Sequence, residues 1–372
     1  MVRHPQTPEI GRVRVNYAVT QENSPVLDLK ARWHALRVED PSIRPRDAAG
    51  RLGVTEAELV AARCGDGVQR LDGPWGDLIQ DLPGLGIVMA LTRNESAVHE
   101  KVGRFGRISI FQNMGLVLNE DIDLRIFLNH WHSGFAVSDE TRGGVRRSLQ
   151  FFDVDGTAVH KVYLRAESDH EAFEALVDKY LHADQSAGQR ILPKAKPPAD
   201  RPDTEIDRVT LRDRWLALQD VHDFHAMLQE LGAGRVQAFR LVGDDIAWPV
   251  NKDSFRMALK QAAATETPVM IFTGSPGVIQ IHTGPVRKLK EVGPWYNVLD
   301  PGFNLHLRQD QIASAWVIKK PTRDGVVTSL EIFDADNQQI AWMFGKRKPG
   351  EPEREDWRAL VNALEPDGEH VR

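Results

Sequence analysis

The chain repeats itself. Thr141-Arg-Gly-Gly-Val-Arg-Arg-Ser-Leu-Gln-Phe-Phe-Asp-Val-Asp-Gly156 returns as Thr322-Arg-Asp-Gly-Val-Val-Thr-Ser-Leu-Glu-Ile-Phe-Asp-Ala-Asp-Asn337, an offset of 181 residues (322 − 141). The same offset carries Gly103 onto Gly284, Leu124 onto Leu305, Phe135 onto Trp316 and Val88-Met89 onto Val269-Met270 without a gap. A period this long is far beyond a solenoid unit of about 20 to 50 residues and marks a duplicated domain. At 372 residues, with 41% hydrophobic and 27% charged residues, the chain is long enough to give each copy its own core.

Other function classes fall away on charge and composition. A formal charge of −6 and a pI near 6.1 provide no global basic field, so nucleic acid is not expected as a partner. The single cysteine, Cys64, cannot form an internal disulfide, and the N-terminus lacks the apolar core of a secretory signal. A cytoplasmic location is expected. No apolar run approaches the roughly 18 to 20 residues needed to span a bilayer, so the chain is not expected to be membrane-embedded.

Punctuation divides the chain into a polar lead-in over residues 1–25, an N-terminal repeat over 26–183, a linker over 184–206 and a C-terminal repeat over 207–366. The linker is marked by Gln185-Ser-Ala-Gly-Gln and Leu192-Pro-Lys-Ala-Lys-Pro-Pro-Ala-Asp-Arg-Pro, which suit extended chain. Each copy opens with a helical pattern. In the second, Thr210 and Asp213 resemble a capping box, and Trp215, Leu218, His222 and His225 follow at three- and four-residue spacing, which predicts one shared helix face. In the first, Leu29, Trp33 and Leu36 play that part, with Trp33 answering Trp215 at an offset of 182 (215 − 33). A further helical pair is expected over 46–63, with Thr55-Glu-Ala-Glu58 as a capping signal.

The rest of each half reads as short β-rich runs such as Gly86-Ile-Val-Met-Ala-Leu, Arg107-Ile-Ser-Ile-Phe and Arg147-Ser-Leu-Gln-Phe-Phe. Turn dipeptides such as Gly143-Gly144, Asp155-Gly156 and Asp324-Gly325 separate these runs. A closing helix is expected around Asp169 to His182 and again around Glu353 to Leu364. Strands grouped together, with helices at the ends, predict an α+β fold of two similar halves, because a parallel sheet would need a helix between successive strands.

The copies differ where chemistry is expected. His222 is answered in the first copy by Asp40 or Pro41, so the pair His222 and His225 belongs to the second half alone. Conversely Arg125 becomes His306, Asp139 becomes Lys320 and Leu91 becomes Phe272. Two histidines at i, i+3 on a helix suit metal ligation if other ligands converge on them; the plainer reading is two polar boundary residues beside a Trp/Leu stripe. No Cys/His cluster with ligand spacing supports zinc. An axial haem ligand needs only one histidine, with its second nitrogen held by an acceptor.

The motifs Asn94-Glu-Ser-Ala-Val-His-Glu100, Asp123-Leu-Arg-Ile-Phe-Leu-Asn129, Asp220-Val-His-Asp-Phe224 and Lys320-Pro-Thr-Arg-Asp-Gly-Val-Val-Thr-Ser-Leu-Glu331 occur in this order. Through them the sequence, from about Leu29 to Leu364, resembles the cytoplasmic haemin-binding and haemin-degrading proteins of Gram-negative haem uptake, the HemS/ChuS/PhuS type. The resemblance implies two halves, each with a large antiparallel sheet flanked by helices, and one haem b in a cleft of the C-terminal half. It implies His222 as the axial ligand of the haem iron, His225 as an alternative ligand, and Arg125 as the distal and catalytic arginine. Arg235 and Lys320 would meet the propionates, Phe127 and Phe272 would form an aromatic wall, and His99 would belong to an additional haem site. The plainer readings are an ion pair of Arg125 with Asp121 or Asp123, solvated charges at Arg235 and Lys320, core packing for Phe127 and Phe272, and an exposed strand position for His99.

The implied function is haem binding after uptake, with oxidative ring cleavage fed by an external electron donor. The rival is a haem chaperone that hands its ligand to a separate haem oxygenase. An inner-membrane haem ABC transporter would be the delivering partner. The glycines Gly274 and Gly277 lie between strand-like runs, so no nucleotide-binding loop marks a built-in reductase. Trp342 and Phe344 stand where related proteins often carry hydrogen-bonding groups, which predicts a more apolar pocket on that side.

Overall fold

The computed structural model describes residues 25–141, 143–196, 198–348 and 350–367; the expected lead-in lies outside them but for its last residue. The first half runs α1 (Pro25–Glu39), α2 (Pro45–Leu52), α3 (Glu56–Ala61), β1 (Val68–Leu71), α4 (Trp75–Asp81), β2 (Gly86–Arg93), β3 (Ala97–Arg104), β4 (Arg107–Phe111), β5 (Met114–Leu118), β6 (Asp123–Phe127), β7 (Ser133–Thr141), β8 (Gly144–Phe152), β9 (Ala158–Ser168) and α5 (His170–Lys179). The second runs α6 (Arg208–Leu216), α7 (Asp223–Leu231), α8 (Arg235–Val242), β10 (Ala247–Val250), α9 (Ser254–Thr265), β11 (Val269–Gly274), β12 (Val278–Gly284), β13 (Leu289–Val292), β14 (Trp295–Asp300), β15 (Phe303–Arg308), β16 (Ser314–Thr322), β17 (Gly325–Phe333), β18 (Gln339–Gly345) and α10 (Glu355–Asn362). Element for element, the second half is the first again, an α+β duplication.

The halves exchange strands. The first sheet has the order β1-β7-β8-β9-β2-β3-β15-β14-β13, and the second β10-β16-β17-β18-β11-β12-β6-β5-β4. Each sheet therefore consists of six strands from one half, extended by three from the other. The junctions obey the repeat: Leu305 lies opposite His99, and Leu124 (305 − 181) lies opposite Gln280 (99 + 181). An open edge at β3 or β12 would expose unpaired backbone groups, and the exchanged strands satisfy them.

Alternation along the strands sends one face of the second sheet to a core with α9 and α10, where Ile271, Val317, Leu330, Ile332 and Met343 pack around Trp357. The opposite face carries α6, α7 and α8 over the β10-β16-β17 end, through Trp215, Phe224, Phe239, Trp316 and Phe333. The rings of Trp215 and Phe224 meet edge to face at 4.5 Å, a contact of about 0.5 to 1.5 kcal/mol beyond area burial.

The Thr55 capping box forms as expected: Glu58 N–H donates to Thr55 Oγ1 at 3.2 Å, and Thr55 N–H to Glu58 Oε2 at 2.9 Å. The expected box at Thr210 does not. Asp207 caps α6 instead, accepting from the N–H groups of Val209 and Thr210 at 3.0 and 3.1 Å. The predicted single helix through His225 also breaks. α6 ends at Leu216 because Asp220 turns the chain, its carboxylate accepting from His222 N–H at 2.9 Å, and α7 starts at Asp223. Trp215 and Leu218 are buried while His222 and His225 are exposed, so the four residues do not share a face.

Candidate functional site

The three helices α6 to α8 pack over the β10-β16-β17 end of the second sheet's face. Cross-strand pairing fixes what remains. Trp342 lies opposite Phe272, Phe272 opposite Ile281, Gly274 opposite Ile279, and Ile279 opposite Arg125. Directly paired residues point to the same side of a sheet, so Trp342, Phe272, Gly274, Ile279, Arg125 and, two residues along β6, Phe127 share one face. All six are half-buried. From β18 to β6 there are three strand intervals, roughly 14 Å at about 4.8 Å each, broad enough for a flat polycyclic ligand. This stretch of sheet is a floor on the same face that carries α6, α7 and α8 at its β10-β16-β17 end.

The floor is aromatic. Phe272 and Trp342 stack with ring centroids 5.3 Å apart and planes 17° from parallel, and Phe344 meets Phe272 edge to face at 5.4 Å. At its far side stands Arg125, which the exchange of β4 to β6 delivers from the first half. Its Nη1 is bonded to Asp123, so the plain ion-pair reading holds; its other nitrogens have no partner among the described residues and can donate to a ligand. Burial pushes the Asp123 carboxyl up, and the Arg125 charge opposes that shift.

His222 occupies the cap position of α7, with its side chain 78% exposed. Its Nδ1 lies 2.5 Å from Asp220 Oδ1, so an Nδ1–H donates to the carboxylate, and Nε2 has no partner among the described residues. A carboxylate behind the imidazole is the usual support for a metal-ligating histidine. Asp220 is held below its ordinary range, chiefly by the His222 N–H. His225 is exposed in the first turn of α7.

Arg235 and Lys320 are not equivalent solvated charges. Glu331, fully buried on β17, accepts from Arg235 Nε and Nη2 at 2.8 and 2.9 Å, from Lys320 Nζ at 2.8 Å, from Ser329 at 3.0 Å and from Gln339 at 2.7 Å. Burial alone would raise the Glu331 carboxyl, but the two cations bring it down to about 2. Lys320 is only 3% exposed, and burial lowers its own pKa against the pull of Glu331. It is therefore an internal cation and not the rim group expected. Arg235 is half-buried and keeps Nη1 without a partner among the described residues. Both cations lie over the Phe224 ring, at 4.7 and 5.1 Å from its centroid, so the network holds the start of α7 two residues from His222.

His99 does not belong to this cleft. It is 0% exposed on β3, with Phe303 at 4.9 Å between ring centroids, and burial drives its pKa far below the usual histidine value. Neither the exposed strand position nor a haem ligand fits it, because no surface reaches its nitrogens. The residues that sequence reasoning missed are Glu331 and Asp220, each quoted only as part of a motif. Their local signals were an acid in an otherwise apolar strand and an Asp two residues before the histidine.

An internally duplicated α+β fold presents an aromatic, arginine-flanked sheet face on one copy, a surface whose chemistry suits a flat, apolar ligand. The family described as the haemin-degrading HemS.ChuX domain matches residues 53–180 and again 232–364, once per half. The chain is 41% identical over 329 residues to the hemin transport protein HmuS of Yersinia pestis, covering 88% of this chain and 94% of that protein. The structure resembles holo-PhuS, a heme-binding protein from Pseudomonas aeruginosa, with a TM-score of 0.90 and 45% identity, over 92% of this chain and all (100%) of the other. It also resembles ChuS, an E. coli heme oxygenase, with a TM-score of 0.82 and 36% identity, over 91% and 100% of the two chains. The chain belongs to the HemS/ChuS/PhuS family. His222 and His225 precede the second family match, and the first half carries no histidine at the positions that answer them.

Proposed function

We propose that the protein binds one haem b in the cleft of the second sheet, with His222 on the iron and Arg125 on the opposite side, and cleaves the ring oxidatively to release iron. The observation that carries this reading is the juxtaposition, on one sheet face, of an aromatic floor from the second half and an arginine from the first. Haem is a large apolar disc with two carboxylates, so it needs apolar walls, a neutral imidazole and cations at its margin. Phe272, Phe127 and Trp342 would contact the disc, and Arg235 would meet a propionate through its spare nitrogen. Lys320 would act through Glu331. Through the N–H groups not engaged by Asp123, the Arg125 guanidinium can hold and orient oxygen ligands. An external electron donor would supply the reducing equivalents.

The relatives support both arms of this reading, since HmuS is described as a transport protein and ChuS as a heme oxygenase. The second reading is a cytoplasmic chaperone, loaded by an inner-membrane haem ABC transporter and unloading to a separate haem oxygenase. It is favoured by the exposure of both His222 and His225 within one turn, which offers a stepwise route for ligand exchange. Among the described residues, no helix is long and apolar enough to cross a membrane. The deciding experiment is to load the protein with haemin, add ascorbate in air with catalase present, and follow the Soret band. Decay to an open-chain tetrapyrrole with iron release is expected; a band that persists would favour the chaperone.

A further inference from the structure

The aromatic floor recognises a shape and not a metal. Trp342 reaches from β18 across β11, where its six-membered ring lies 3.9 Å from the place a Cβ would occupy on Gly274. The same position is 4.0 Å from Ile279 Cγ1, so Trp342 and Ile279 lie on either side of Gly274 at ordinary van der Waals distances. Phe272 lies nearly parallel to Trp342, and Phe344 supports Phe272 from beneath its edge. The Trp342 indole N–H has no partner among the described residues. The result is a largely apolar platform with its charged groups at the margins, Arg125 on one side and the Arg235 network on the other.

The iron-directed part is built differently. His222 sits on an exposed turn outside the packed helices, restrained by Asp220 and by the anchoring of Phe224 two residues on. The platform exists without it. Stacking and area burial depend on the face of the ring, whereas the imidazole bond depends on the metal.

We propose that this cleft selects the porphyrin disc itself, that Trp342 is the residue that sets this selectivity, and that metal-free dicarboxylate tetrapyrroles such as protoporphyrin IX are ligands of the same site. The proposal rests on the cleft being the haem site. Protoporphyrin IX then binds one to one, with a dissociation constant within tenfold of that for haemin, or about 1.4 kcal/mol. Trp342→Ala weakens protoporphyrin IX at least tenfold, Trp342→Phe retains most of the affinity, and the double change His222→Ala, His225→Ala leaves it within threefold.

The test is a fluorescence titration of the full-length protein and these variants with protoporphyrin IX, reading tryptophan quenching and porphyrin emission. A parallel optical titration uses haemin, and circular dichroism checks that each variant is folded. Competition by haemin for the bound porphyrin is expected and confirms a shared site. Binding of haemin with protoporphyrin IX more than tenfold weaker would overturn the proposal while leaving the haem site intact. Failure of both ligands would remove the haem site and the proposal together. A folded Trp342→Ala protein with undiminished porphyrin affinity would overturn the role of Trp342.

Discussion

The open face of the second sheet and its counterpart on the first have the same strands in the same register and opposite chemistry. Subtracting or adding 181 takes Trp342 to Lys161, Phe272 to Leu91, Gly274 to Arg93, Phe344 to Tyr163, Ile281 to Glu100 and Arg125 to His306. The pairings follow, with Leu91 opposite Lys161 and His306 opposite Val98. In the first half this face is closed by its own polar groups. Glu56 of α3 pairs with both Lys161 and Arg93, Glu100 accepts from Asn304 at 3.1 Å, and His306 Nδ1 lies 2.7 Å from Asn297. In the second half the acid–cation network has moved beneath the helices, to Glu331, Arg235 and Lys320, and the face is left aromatic. The difference teaches that duplication provided two equivalent platforms, and that the position of one buried carboxylate decides which is filled from within and which is left for a ligand.

The most damaging change should be removal of either carboxylate. Glu331→Ala strands the buried Lys320 and unpairs the half-buried Arg235, Glu56→Ala does the same to Lys161 and Arg93, and each should cost about 3 to 5 kcal/mol in denaturant unfolding. Gln150→Ala, at the first-half position answering Glu331, should cost only about 1 kcal/mol, since Gln150 donates a single bond to Ser148. Equal losses for Glu331 and Gln150 would break the comparison. Next, Arg125→Ala should slow haem decay about a hundredfold with a smaller effect on capture, by analogy with loss of one preorganised donor. His306→Ala should change neither. Equal losses of decay and capture in the Arg125 variant would make it an anchor for the ligand.

Acid should act on both halves in one direction. Glu56 and Glu331 fall to about 2 in the folded protein, and the buried His160 and His282 to about 3, below ordinary values near 4.5 and 6.5. In each case the unfolded chain takes up protons first, so stability is complete above the unfolded value and is lost as pH falls toward the folded one. The histidines act from about pH 6.5 down to 3, and the carboxylates from about 4.5 down to 2. His282→Gln should flatten the upper window by at most about 1.4 kcal/mol per pH unit and leave the lower one in place, as measured by denaturant unfolding across pH. An unchanged upper slope would mean that His282 is not the group being protonated. The smallest effect tests the helical layers: Thr55→Ala and Asp207→Ala should each cost about 1 kcal/mol, one cap per half.

The sequence revealed what is local and repeated. The duplication, the strand-rich runs, the closing helices and the Thr55 box all come from short patterns, and the structure has them. The α6–α7 break was hidden because Trp215, Leu218, His222 and His225 keep helical spacing across it; the turn comes from one carboxylate, Asp220, bonding its neighbour's N–H. Strand exchange was invisible for a different reason. The pairing of Arg125 with Ile279 spans half the chain, and nothing near either residue says which edge it will meet. The same limit hid the burial of His99, enclosed by Phe303 from the other half. Lys320 was missed for another reason: its partner Glu331 is only eleven residues on, but the spacing does not show that both lie beneath the helices. The divergent positions themselves were legible, because the repeat provides its own internal control.

The central claim is that the second-sheet cleft takes one haem through the histidines found only in that half. The most direct measurement is an optical titration of the purified protein with haemin, run beside the His222→Ala, His225→Ala double variant. The first should give a 1:1 Soret-forming complex, and the second a weaker complex without a histidine-ligated spectrum. An identical spectrum with undiminished affinity in the double variant would contradict the claim.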